Sequence, residues 1–168
     1  PHYVIAHGKI KASDFDVIPP ASIDRLYLVA AAGLQPFRPV YDALSHMGFY
    51  NLNPDAIREL QASDPGDVLK RDGSNLSSVL RLFEKDKELY DRLVFYLSKI
   101  APGIKGIEVK NIGKKETLDF RQQIGTNKDP WRFLAENMSD GTLRALGVLA
   151  ALFQNEKTSD KKVLFIGI

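Results

Sequence analysis

Ser139, Asp140, Gly141, Thr142 and Arg144 stand together where a helical pattern begins, and the chemistry they suit is the binding of an anion. Ser139 occupies an N-cap position, where its oxygen accepts a hydrogen bond from an amide two or three residues on. Asp140 puts a carboxylate in the first turn, where the helix dipole favours negative charge. Gly141 has no Cβ, so another backbone or a ligand can approach closely. The first amides of a helix lack intrahelical partners, and with the Ser139 hydroxyl they form a donor set suited to phosphate. The same residues also make an ordinary capped helix. Spacing alone does not separate the two readings.

The element that must carry these residues is apolar. Leu143, Leu146, Ala150 and Phe153 recur at spacings of three and four, and Leu149 and Leu152 widen the stripe. Such a pattern predicts a helix buried inside a domain. Residues 163–168 read as a buried strand behind it. Upstream, residues 3–11 and 24–32 read as strands, with Leu26, Leu28 and Ala30 inward and Arg25 and Tyr27 outward. Residues 40–48 read as a short helix, and Asn53-Pro54 supplies a cap and a first-turn proline for a helix over 55–61. Residues 63–73 read as a mobile polar loop. Helices are expected at 75–85 and 87–100, the second with a stripe of Leu89, Leu93, Tyr96, Leu97 and Ile100 and a stop at Pro102-Gly103. Two strands, 106–112 and 116–122, flank Gly113-Lys114-Lys115.

The wording Met138-Ser139-Asp140-Gly141-Thr142-Leu143-Arg144, followed by an apolar helix and then Val163-Leu164-Phe165-Ile166-Gly167-Ile168, resembles the signature motif and following strand of an ABC-type ATPase. The resemblance is to the RecF/SMC-like and OLD-like branch, often labelled AAA ATPase. Asp72-Gly73-Ser74-Asn75-Leu76 before a helix resembles a mid-domain segment of that branch. The fold class implied is α/β: part of a P-loop ABC-type ATPase domain, with a mixed sheet and a helical subdomain. Its expected division is a strand meander over 1–34, a helical region over 35–103, a strand hairpin and loop over 104–136, and the signature helix with the Walker B strand over 137–168.

The resemblance implies ATP binding and hydrolysis by a head-to-tail dimer, each signature helix closing over ATP in the partner's P-loop. Carried onto this chain, Ser139 donates its hydroxyl to the γ-phosphate and the amides of Gly141 and Thr142 point at the same oxygens. Arg144 contacts the partner or braces the helix. Asp140 stands where many members have a second glycine. A carboxylate facing phosphate would repel it, so Asp140 is expected to face sideways, bonded to an amide or a basic group. ATP and Mg²⁺ are the implied cofactors, both held mainly by residues outside this chain. The implied partners are a second copy joined through ATP, with DNA or a nuclease left open by analogy.

Composition sets the outer bounds. A chain of 168 residues suits one domain and can bury a sizeable core. Its 44% hydrophobic and 26% charged residues are those of an ordinary globular protein, and a net charge of +2 does not argue for nucleic acid or membrane. Lys105, Lys110, Lys114, Lys115 and Arg121 gather around the strand pair, and a soluble hairpin surface is the preferred reading over a DNA-phosphate contact. No cysteine is present, which is compatible with a cytoplasmic setting. No apolar run approaches the roughly 18 residues of a membrane helix.

No Gly-x-x-x-x-Gly-Lys-Ser/Thr loop occurs anywhere; Gly8-Lys9 and Gly113-Lys114 lack both the upstream glycine and the Ser/Thr. The acidic residues expected after a Walker B strand fall beyond Ile168. Both ends read as interrupted, Pro1 leading straight into an apolar run and the final strand lacking a turn. The expectation is therefore an internal segment, inactive alone, of a protein that as a whole is an ATPase. His2, His7 and His46 sit at no metal-ligand spacing, and neither a Gly-x-Ser-x-Gly elbow nor a singled-out carboxylate pair is present. The alternative is a binding or regulatory module with no nucleotide role.

Overall fold

A computed structural model describes residues 1–16, 18–24, 26–45, 48–126, 129–154 and 166–167. The chain is mixed α/β and divides into two compact units, one built on 1–48 with 162–165 and one on 49–161 with 166–168.

In the first unit, strands β1 (Tyr3–Ala6) and β2 (Lys9–Ser13) form an antiparallel hairpin. The single strand expected over 3–11 is thus folded back on itself. His7 and Gly8, both at positive φ, make the two-residue turn whose twist matches the strands. Tyr3 packs edge-on against Tyr27 and Phe37, and Phe15 meets Phe37 from the side. The strand expected over 24–32 is instead a short helix, α1 (Tyr27–Ala31). The assumed alternation is inverted: Leu26 is exposed, whereas Tyr27 and Ala31, four apart, are buried. Three successive alanines favour helix over strand, and the burial follows the helical period. Helix α2 (Arg38–Ser45) starts two residues earlier than predicted. Arg25 and His46 lie outside the described residues.

The short strand β3 (Gly48–Phe49) falls at the boundary of the two units, and in the second unit α3 (Pro54–Arg58) is capped by the Asn53 side chain on the Asp55 amide. Strand β4 (Gln61–Ala62) follows, then helices α4 (Leu76–Phe83) and α5 (Lys87–Ile100). Asp86 caps α5 through the Leu89 amide, which sets the helix start at Lys87. Strands β5 (Ile104–Ile112) and β6 (Lys115–Gln122) pair as a long antiparallel hairpin. β6 is flanked on its other side by β4 and by β7 (Trp131–Leu134), both antiparallel to it. A 3-10 turn at Ala135–Asn137 then delivers the chain to α6 (Asp140–Phe153).

One core joins these elements. Leu76, Val79, Leu80 and Phe83 of α4, Leu89, Leu93 and Leu97 of α5, Ile107, Leu118 and Phe120 of the sheet, and Leu143, Leu146 and Ala150 of α6 are all buried together. The stripe read on α5 is narrower than predicted, because Tyr96 and Ile100 are exposed. Leu152 of α6 is likewise open, so that helix is buried on most but not all of its circumference. Of the strand expected at 163–168, Ile166–Gly167 is a strand (β8), and the rest lies outside the described residues. Among the described residues no helix is long and apolar enough to cross a membrane.

Candidate functional site at the start of α6

The residues singled out in the sequence come together at the N-terminal end of α6. Met138 is buried, its amide bonded to the Ala135 carbonyl at 3.1 Å, which anchors the chain just before the cap. Ser139 has the extended backbone of an N-cap, and its Oγ accepts from the Thr142 amide at 3.2 Å. The two hydroxyls, Ser139 Oγ and Thr142 Oγ1, lie 2.9 Å apart. Ser139, Asp140, Gly141 and Arg144 are exposed, and a Cβ built on Gly141 would meet nothing within 4 Å. Thr142 is turned inward, with its amide already committed to the cap. Four of the five residues are therefore open to solvent, and the fifth, Thr142, is buried.

Asp140 is bonded to a basic group. Its carboxylate pairs with Arg58 of α3, whose guanidinium also donates to Asp55 at 2.7 Å and to the Met138 carbonyl at 3.2 Å. The Arg58 hydrogen bond, reinforced by its charge and more weakly by Arg144, holds the Asp140 carboxyl below the usual carboxylate range. The same contact raises the Arg58 guanidinium further. Nothing local in the sequence marks Arg58 as part of this group. It arrives from another helix, and only its place in the last turn of a short capped helix could have drawn notice.

The Asp72-Gly73-Ser74-Asn75-Leu76 segment explains where α3 sits. Asp72 accepts from the Ser74 amide at 3.0 Å, and this bond, against desolvation, lowers its carboxyl from the ordinary value. Gly73 has φ +80°, and a Cβ there would come within 2.9 Å of Ile57 on α3. Asn75 is buried; its Oδ1 accepts from the Lys70 amide at 2.8 Å and its Nδ2 donates to the Val68 carbonyl at 2.9 Å. Gln61 adds a second clamp, donating to the Ala56 and Gly73 carbonyls and accepting from the Ser77 amide. The loop over 63–73, expected to be mobile, is thus tied to α4 and pressed against α3. Buried Glu116 completes the tie from the sheet, accepting from Ser78 Oγ at 2.9 Å and pairing with Arg81.

The basic residues of the β5–β6 hairpin do not form a continuous stripe. Glu108 stands between Arg121 and Arg132 and pairs with both, and Arg132 also holds buried Asp119 at 3.0 Å. A shallow cavity of about 430 Å³ opens over Glu108, Lys110, Asp119 and Arg132. Among the described residues no group of three or more His, Asp or Glu side chains is placed to hold a metal ion. No family model, curated protein or solved structure matches this chain.

Proposed function

We propose that this chain supplies the signature face of an ABC-type ATPase of the RecF/SMC-like or OLD-like branch, closing over ATP held in the P-loop of a second subunit. One observation carries the reading: the start of α6 offers hydroxyl and amide donors to solvent, while its one carboxylate is drawn aside by Arg58. Ser139 and the Gly141 amide are the donors suited to the γ-phosphate. Thr142 acts through Ser139, since its amide is already bonded to that side chain. Arg144, four residues from Asp140, lies on the same helical face and is available to the partner. The donor set fits a phosphate; no described residue set fits Mg²⁺, which would be held by groups elsewhere. ATP, when bound, supplies the transferable phosphoryl group. The sequence has no P-loop of its own, so hydrolysis needs residues that this chain does not contain.

The test is made in the intact protein that carries a P-loop. Ser139→Arg should leave ATP binding in place and abolish ATP-driven dimerisation and turnover. Unchanged turnover in that variant overturns the assignment. The second reading, a binding or regulatory module without a nucleotide role, is favoured by the Ser139–Thr142 bond, which any capped helix uses. An oligomeric state that ignores ATP would select it.

A further inference from the structure

β5 pairs with β6 on one side, and among the described residues no strand pairs along its other edge. A free edge presents amides and carbonyls that invite a strand from another chain. Here two side chains stand in the place of that strand. The Tyr90 hydroxyl, from α5, accepts from the Ile107 amide at 3.0 Å and donates to the Ile107 carbonyl at 2.6 Å. Glu84, from the turn between α4 and α5, accepts from the Val109 amide at 2.8 Å. One hydroxyl takes both groups that a neighbouring strand would take, and one carboxylate takes the next amide along the same edge.

We propose that Tyr90 and Glu84 close the free edge of β5, and that the strand they keep out is β5 of a second copy of this chain. The register argues for that occupant. Two antiparallel β5 strands related by a two-fold axis at Val109 set Ile107 against the copy's Asn111 and Glu108 against the copy's Lys110. The Glu108–Lys110 match recurs on both sides of the axis, and opposite charges directly across a strand pair favour such a register. Both side chains lie on the face of the sheet that carries Asp119 and Thr117, their partners across the β5–β6 ladder. Glu108 keeps Arg121 and Arg132 on its own sheet, and a carboxylate has room for a further donor. The closure is independent of any role in ATP binding.

The experiment combines Tyr90→Phe with Glu84→Ala in this chain and follows self-association by sedimentation velocity and amide hydrogen exchange. The variant, still folded by circular dichroism, should dimerise about tenfold more tightly than the unaltered chain, or better. The Ile107, Val109 and Asn111 amides should gain protection as protein concentration rises. Adding Lys110→Glu, which sets two acids against each other, should return it to monomer. A folded double variant that associates no more than the unaltered chain overturns the proposal, and so does a dimer indifferent to Lys110→Glu. If the double variant does not fold, Tyr90→Phe alone removes both bonds to Ile107 while keeping the ring. Unchanged association of that variant is then the overturning result.

Discussion

Arg58 and Asp140, 82 residues apart in the chain, are joined by an ion pair that fixes the start of α6 to the end of α3. The guanidinium reaches past the carboxylate to the Met138 carbonyl, so it holds the backbone entering the cap as well as the side chain after it. A helix start that would otherwise aim a negative group outward is thereby left with donors foremost.

Arg58→Ala should release Asp140. Its carboxyl, held low by Arg58, should return toward the ordinary value near 3.8, read by side-chain NMR titration. If the chain has the proposed place in an ATPase, the freed carboxylate would oppose phosphate, and turnover should fall about tenfold or more while the fold is retained. Arg58→Lys keeps a cation but not the two-pronged reach, and should recover only part of that loss.

Acid should weaken the fold through the same groups. Asp140 and Asp72 both have folded pKa values below the ordinary one, so each contributes stability that is present above that value. It is lost as pH falls through the depressed folded values, and unfolding free energy should decline steadily below about pH 4. Denaturant titrations across that range provide the check, and Asp72→Asn should flatten part of the slope.

Ser139 has two roles that substitution can separate. Ser139→Ala removes the cap and should cost about 1 kcal/mol in unfolding free energy. Ser139→Asp keeps a capping acceptor and should leave stability nearly unchanged, yet it places a carboxylate where phosphate is proposed to sit. A stable Ser139→Asp protein that has lost ATP-driven dimerisation supports the nucleotide role. If both stability and dimerisation survive, the residue is a cap and nothing more.

The loop clamp should be costly to break. Asn75→Ala removes a buried side chain and strips its partly buried bonds to the Lys70 amide and the Val68 carbonyl, at about 1–3 kcal/mol by thermal or chemical unfolding. Gly73→Ala forces a Cβ into the left-handed region and against Ile57, and should cost about 2 kcal/mol or more.

The narrower stripe on α5 gives a further contrast. Leu97→Ala empties a fully buried position and should cost about 2–5 kcal/mol. Ile100→Ala, at a position 58% exposed, should stay within about 0.5 kcal/mol of the unaltered chain. Equal losses at the two sites would contradict the packing described.

What could be read in advance was local. The ends of α5 follow from Asp86 as cap and Pro102-Gly103 as stop, and the α6 start follows from Ser139, because caps and turns act within a few residues. The hairpin of β5 and β6 is legible from two β-rich runs around Gly113. The error at Tyr27–Ala31 has a physical source: residues 26–32 are apolar at every position, so the run marks neither a helical period nor a strand alternation. The role of Asn75 was readable as a motif but not as a clamp, since its partners are backbone groups with no sequence signature.

By itself the amino-acid order determined helices α2 to α6, the long hairpin and the donor-rich cap at Ser139, since hydrogen bonds and periodicity of that kind are settled between near neighbours. Only the tertiary structure decided that Arg58 meets Asp140, that Asn75 clamps the loop and Gln61 ties it to α3, and that Tyr90 and Glu84 occupy the edge of β5. Those contacts join side chains from separate elements, and which of them meet depends on how the shared core packs rather than on any signal carried by either partner alone.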